Sequence, residues 1–187
     1  MDKRIITIGI GGFMGNGKST VAQFIADIIK NTTPHAVLIE PFAKGVKDTA
    51  YEMGWDGNKD ARGRRLLQLI GTECGRKCIG EDVWVNYWKK QINIWAQSKS
   101  EDYLFVIADD LRFMNELELI QTYGYAVLIE GRVKPSKPRW LRHASEKGLP
   151  TSLYDYLIFN HGKNINELHS NTYHLVQNIL KKESLRG

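Results

Sequence analysis

A three-layer α/β fold around a parallel sheet is what this sequence predicts, and three observations carry the prediction. Short apolar runs alternate with longer stretches of helical periodicity along most of the 187 residues. The first run, residues 5–10, is dense in β-branched side chains, as a strand buried on both faces should be. It leads directly into Gly11-Gly12-Phe13-Met14-Gly15-Asn16-Gly17-Lys18-Ser19-Thr20 and then into a helix. Strands joined through helices pair in parallel with right-handed crossovers, and a ligand then belongs beyond the carboxyl ends of the strands.

The elements follow in order. Residues 19–29 place Val21, Ala22, Phe24, Ile25, Ile28 and Ile29 on one helical face. Residues 36–40 read as a second buried strand, and residues 42–52 as a helix entered from Glu40-Pro41. A turn at 54–58 precedes a helix over 60–79 carrying Leu66, Leu67, Leu69 and Ile70, which Gly71 is expected to interrupt. Glu81 and Asp82 suit the first turn of another helix reaching about Ala96, with Val83, Trp84, Tyr87, Trp88, Ile92 and Trp95 on its apolar face. Residues 103–108 form the clearest central strand after the first; a helix over 114–123 and a strand over 126–129 follow. Residues 131–150 break the rhythm with three prolines and several basic side chains. A fifth strand over 153–159 and a closing helix over 165–182 complete the chain.

Composition narrows the function. A hydrophobic content of 42% supports one sizeable core, and no run reaches the length of a membrane span. The start, Met1-Asp2-Lys3-Arg4 before a glycine-interrupted strand, does not read as a signal peptide, so a cytoplasmic location is expected. Cys74 and Cys78 lie four apart with no second pair and no histidine closer than His35, which reads as two free thiols rather than half a metal site. The net charge of +5, from 26 Lys and Arg against 21 Asp and Glu, suits a phosphorylated ligand as well as nucleic acid. Five tryptophans and eight tyrosines are scattered, as core or groove-lining residues are, and no nucleic-acid module is recognisable.

The glycine segment carries the chemistry. Gly12, Gly17, Lys18 and Ser19 occupy the fixed places of the G-x-x-x-x-G-K-[ST] phosphate loop. Backbone N–H groups and the helix N-terminus cradle phosphates, Lys18 reaches the outer ones, and Ser19 ligates magnesium. At the end of the third strand, Ala108-Asp109-Asp110-Leu111-Arg112-Phe113 supplies a carboxylate for the metal or its water shell. Asp110 is the preferred residue for that role, with Asp109 either the metal partner or a structural cap. Arginines gather at Arg62, Arg64, Arg65 and Arg76, and again at Arg132, Arg139 and Arg142. Guanidinium forks suit phosphates, and a basic loop closing over two of them excludes water during transfer, although Arg62 to Arg65 also read as a solvated helix face.

In these segments the sequence resembles the deoxynucleoside monophosphate kinases of bacteriophages, P-loop kinases distantly related to phosphomevalonate kinases. The resemblance runs from Ile5 to about Leu168. It rests on Gly12 to Thr20, on Phe42-Ala43 with Lys47, on residues 67–73 with Arg76, on residues 81–86, on Asp110 to Phe113 with Asn115-Glu116, and on His143, Ser145 and Glu146. It implies a three-layer P-loop NTPase fold of the nucleoside monophosphate kinase type with five parallel strands. One domain over 1–187 would carry a helical acceptor-binding insertion over about 42–98 and a basic, lid-like loop over about 131–150.

The implied reaction is ATP-dependent, magnesium-assisted phosphorylation of a deoxynucleoside 5′-monophosphate. Gly12, Gly15, Asn16, Gly17, Lys18, Ser19 and Thr20 would hold ATP, with Ser19 and Asp110 serving the metal. Phe42, Lys47, Arg65, Gln68, Thr72, Arg76, Trp84, Asn86, Arg112 and Phe113 would line or support the acceptor side, with Trp84 alternatively core and Gln68 helix surface. Lys18, Asp110, Arg112, Arg139 and Arg142 would be catalytic, with His143 orienting the closing loop through Glu146. By position, Asn160 and Lys163 after the last strand would contact adenine.

Two positions depart from the pattern: Ser19 stands where some relatives have Asp, and Met114 where Pro is frequent. The implied location is the cytoplasm, that of the infected host if the chain is phage-encoded. Neither a membrane nor a stable nucleic-acid partner is expected, and a homodimer is left open. The alternatives are a phosphomevalonate-type kinase, a nucleic-acid-stimulated ATPase and a nucleotide-dependent switch.

Overall fold

The computed structural model describes residues 3–131, 148–162 and 164–184. The chain forms two compact units, residues 1–39 together with 99–187, and residues 40–98.

The first unit is built on five strands: β1 (Arg4–Gly11), β2 (Ala36–Ile39), β3 (Tyr103–Ala108), β4 (Gly124–Gly131) and β5 (Tyr156–Asn160). They form one sheet in the order β2-β3-β1-β4-β5, and every pair is parallel. Side chains alternate across β1. Ile6, Ile8 and Ile10 are buried in the main core with Val21, Ile25 and Ile29 of α1 (Lys18–Thr32) and Val176 and Ile179 of α6 (Ile165–Ser184). Thr7 and Gly9 look the other way, toward α5 (Met114–Tyr123). The Thr7 hydroxyl donates to the Ile120 carbonyl at 2.8 Å, and a Cβ on Gly9 would stand 2.8 Å from the Ile120 side chain. Helices therefore cover both faces, giving the three layers the sequence predicts.

Register sets the working edge. Gly9 pairs with Ala108, Gly11 with Leu128, and Gly131 with Asn160, so the carboxyl ends of β3, β1, β4 and β5 lie side by side. Among the described residues, no helix is long and apolar enough to cross a membrane.

The second unit holds α2 (Lys44–Glu52), α3 (Ala61–Gln68), a π-helix (Leu69–Ile79) and α4 (Val83–Gln97). Asp60 caps α3 by accepting from the Gly63 N–H at 2.8 Å. The expected break at Gly71 does not occur. The helix instead widens into the i→i+5 pattern and runs on to Ile79. Trp84 of α4 packs against this stretch. Its indole N–H donates to the Gly71 carbonyl at 2.7 Å, and a Cβ on Gly75 would stand 2.7 Å from the indole ring. Val46, Ala50, Ile70 and Trp84 form the buried centre of this unit.

Several expected boundaries move. Phe42 and Ala43 precede α2, and Glu81 and Asp82 precede α4, where Asp82 occupies the N-cap position without capping the helix through its side chain. Leu153 closes a 3-10 turn (Thr151–Leu153), and β5 begins only at Tyr156.

Candidate active site

The glycine loop bends through three left-handed positions that only glycine adopts without strain: Gly12 at φ 129°, Gly15 at 86° and Gly17 at 91°. Gly17 is the N-cap of α1 and supplies no side-chain cap, so the first-turn N–H groups remain available to an anion. Space also demands glycine at position 12, where a Cβ would lie 2.4 Å from the Ile129 carbonyl oxygen. Lys18 folds back over the loop, its Nζ donating to the carbonyls of Gly12 at 2.8 Å and Phe13 at 3.1 Å. A cation and a row of N–H groups thus face the same small space. That is a phosphate site by chemistry.

The strand-end carboxylates sit beside it. The Leu111 N–H donates to the Ile10 carbonyl at 3.1 Å, which fastens the loop after β3 to the end of β1. Ser19 Oγ donates to Asp109 Oδ2 at 2.5 Å. Sequence reasoning prefers Asp110 for the metal and leaves Asp109 as a metal partner or a structural cap; the hydrogen bond joins Asp109 to the Ser19 hydroxyl. Asp110, half-buried, shares the strand end.

Two oxygen donors of this kind fit magnesium, a hard cation that keeps much of its water and takes few protein ligands. No group of three or more His, Cys, Asp or Glu suited to a metal occurs among the described residues. A magnesium ion held here would complete its shell with water and phosphate oxygens.

Arg112 and Phe113 follow directly. Their backbone N–H groups donate to Glu116 Oε2 at 2.9 and 3.1 Å, half of a capping box at the start of α5. Glu116 is 3% exposed, so a buried carboxylate fixes the segment that presents Arg112. Asn16 is likewise buried in the loop, and Asn160 Nδ2 donates to its carbonyl at 3.0 Å. Arg132, Arg139, Arg142, His143, Ser145, Glu146 and Lys163 lie outside the described residues.

The residues expected on the acceptor side belong to the second unit and divide into two groups. Phe42 and Trp84 are core. Phe42 is buried and stacks on Trp88 with ring centroids 4.7 Å apart, and Trp84 is buried against the π-helix. Gln68 and Thr72 are half-buried and Arg76 is partly exposed, with its guanidinium donating to the Glu81 carbonyl at 2.9 Å. Lys47 is half-buried on α2, while Arg65 and Asn86 are exposed. A cluster that sequence reasoning missed stands nearby on α2 and α4. The Asp48 carboxylate accepts from Lys44 and, at 3.0 Å, from the Tyr87 hydroxyl. The hydrogen bond to Asp48 holds the Lys44 ammonium above its usual pKa, and burial, then that same carboxylate, pushes the Tyr87 hydroxyl up.

With this geometry in hand, comparison with known proteins is decisive for the family. Residues 52–172 match the deoxynucleotide monophosphate kinase family. The chain belongs to that family. It is also 30% identical over 131 aligned residues to the deoxynucleoside-5′-monophosphate kinase of Escherichia phage T5, a match covering 66% of this chain. The chain spans about half of that relative, 48% of its length. Among solved structures, shikimate kinase from Bacteroides thetaiotaomicron superposes with a TM-score of 0.50 at 14% identity, over 94% of this chain and 98% of that one. At that identity the likeness speaks for the P-loop kinase fold alone.

Within the family frame, the residues that sequence reasoning passed over are Glu116 as the anchor of the segment carrying Arg112, and Tyr154. A Cβ on Gly11 would stand 2.0 Å from the Tyr154 hydroxyl, so this ring lies directly on the start of the phosphate loop. Glu116 had a readable signal, since Glu three residues after a helix start closes back on the N-cap. Tyr154 had none; it looked like one more strand residue.

Proposed function

We propose that the chain transfers the γ-phosphoryl group of ATP to a deoxynucleoside 5′-monophosphate, giving ADP and a deoxynucleoside diphosphate. The observation that carries the reading is the 2.5 Å hydrogen bond between Ser19 and Asp109 beside the Lys18 loop, in a chain of this family. A phosphate cradle and a carboxylate–hydroxyl pair are the donor half of a phosphoryl-transfer site.

In the proposed reaction, an anionic oxygen of the acceptor phosphate forms the new bond to the γ-phosphorus. The bond from that phosphorus to the β–γ bridging oxygen breaks, and ADP leaves with the electron pair. The attacking oxygen is already ionised, so no side chain has to remove a proton. Lys18 leaves the Gly12 and Phe13 carbonyls for the β- and γ-phosphates, where its charge offsets charge building on the leaving oxygen. Arg112, on the segment held by Glu116, is assigned to the transferred group. Ser19 and Asp109 would hold magnesium, which supplies charge neutralisation on the phosphate oxygens. Arg139 and Arg142 are assigned to closing over the phosphates and excluding water. Acceptor recognition is assigned to Lys47, Arg65, Gln68, Thr72, Arg76 and Asn86, with Phe42 and Trp84 supporting them from the core.

The test is ATP consumption against a panel of the common ribo- and deoxyribonucleoside monophosphates with phosphomevalonate, with products identified. ADP and a deoxynucleoside diphosphate in equal amounts are expected. Formation of free phosphate alone, with no acceptor phosphorylated, would overturn the reading.

A further inference from the structure

Asn16 occupies one of the free positions of the phosphate-loop motif, yet it is 3% exposed, an uncommon place for a loop amide. Its Nδ2 donates to the Ile129 carbonyl of β4 at 3.4 Å, and its Oδ1 is buried without a partner among the described residues. Its backbone carbonyl accepts from Asn160 Nδ2, at the end of β5, at 3.0 Å. Asn160 Oδ1 in turn accepts from the Gly162 N–H at 2.9 Å. These two bonds fix which way the Asn160 amide points. A flip would set oxygen against oxygen at Asn16 and N–H against N–H at Gly162.

Glycine makes the approach close. Gly131 and Asn160 are register partners on β4 and β5, and Asn16 lies over both. A Cβ on Gly131 would stand 2.8 Å from Asn16 Oδ1, and a Cβ on Gly17 would stand 2.8 Å from Asn160 Nδ2. The phosphate loop is therefore tied to the ends of two strands through one residue, Asn16, by its side chain to β4 and by its backbone carbonyl to β5.

The orientation of the Asn16–Gly17 peptide matters for the chemistry. In a trans peptide the C=O and the following N–H point in opposite directions. With the Asn16 carbonyl held toward Asn160, the Gly17 N–H points away from Asn160, and N–H groups of such loops receive phosphate oxygens. We infer that Asn160 is a positioning residue for the phosphate loop, acting through the Asn16 carbonyl, and not a contact for the nucleotide base. Both polar atoms of its amide are engaged within the chain, which leaves position as the only argument for an adenine contact. This inference rests on the donor-site reading above and deepens it.

The test separates phosphate from base. Affinities for inorganic tripolyphosphate and for ATP are measured by calorimetry, both with magnesium, on the unmodified chain and on Asn160→Ala and Asn160→Leu. The leucine variant keeps the bulk of the side chain without its polar atoms. Loss of one hydrogen bond in the loop predicts that both affinities fall together, by about five- to tenfold, with their ratio unchanged. The Gly17 amide resonance should also shift in the ligand-free variants, a signature that a loss of overall stability would not give by itself. ATP weakened with tripolyphosphate untouched would make Asn160 a base contact and overturn the inference, as would two unchanged affinities. An unmodified chain that bound neither ligand would overturn this inference and the donor-site reading together. One that bound both but phosphorylated no acceptor would sink the kinase reading and leave Asn160 as assigned.

Discussion

In the first unit Gly12, Gly15 and Gly17 are required by their backbone, each at a φ near or above 90°, where a side chain is strained. In the second unit Gly75 takes no positive φ and is required for its bare surface, against which the Trp84 indole packs. The first kind of glycine shapes a site that meets a ligand, and the second lets two helices meet. A glycine that bends the chain leaves a trace in the sequence, because its neighbours belong to the same motif. A glycine that receives a distant side chain leaves none until the partner is known.

The largest effect belongs to the loop's one charged member. Lys18→Ala removes the cation while its backbone continues α1, so turnover is expected to fall by roughly a hundred- to a thousandfold with the fold retained. Steady-state kinetics alongside a denaturation curve would check it. Near-normal turnover would mean the loop is not the donor site.

The two kinds of glycine are then compared directly. Gly12→Ala meets two obstacles, a φ of 129° and a Cβ 2.4 Å from a backbone oxygen that cannot swing aside. A loss of about 2–4 kcal/mol in stability is expected. Gly75→Ala meets one obstacle, a Cβ 2.7 Å from a buried indole, and gains some helix propensity in return. Its expected cost is smaller, about 1–2 kcal/mol. Urea denaturation of both variants measures the difference. Equal costs would show that backbone strain adds nothing at Gly12, and a stabilised Gly75→Ala would remove Trp84 as the reason for that glycine.

Legibility followed the same division. The expected bounds of β3 and α5 coincide with the observed Tyr103–Ala108 and Met114–Tyr123, because an apolar run and a helical stripe are local patterns. The phosphate loop was legible for the same reason. The π-helix was not, and the Trp84 indole that bonds to it lies thirteen residues beyond Gly71. Phe42 read as an acceptor-side residue and Trp84 as acceptor side or core, and their burial against Trp88 and the π-helix shows both in the core. The pairing of Asp109 with Ser19 joins residues ninety positions apart in sequence, and no spacing rule reaches that far.

The smallest expected effect blurs the line between the two units, because the first also holds a glycine of the contact kind. Gly11 lies under Tyr154, whose hydroxyl is pushed up to about 12, first by burial and then by the Glu116 carboxylate. In the unfolded chain a tyrosine ionises near 10.0. Below that pH both states hold the proton, and the favourable burial of the neutral ring contributes in full. As pH rises from about 10 toward about 12, the unfolded chain releases the proton while the folded chain keeps it, so this contribution to stability is lost. Tyr154→Phe keeps the ring over Gly11 and has no proton to lose. Urea denaturation of both proteins at about pH 9 and about pH 11 should therefore show the unmodified chain losing more stability than the variant over that interval. Equal losses would mean that the hydroxyl is not held in the apolar contact over Gly11, and that the glycine answers to the backbone of the loop alone.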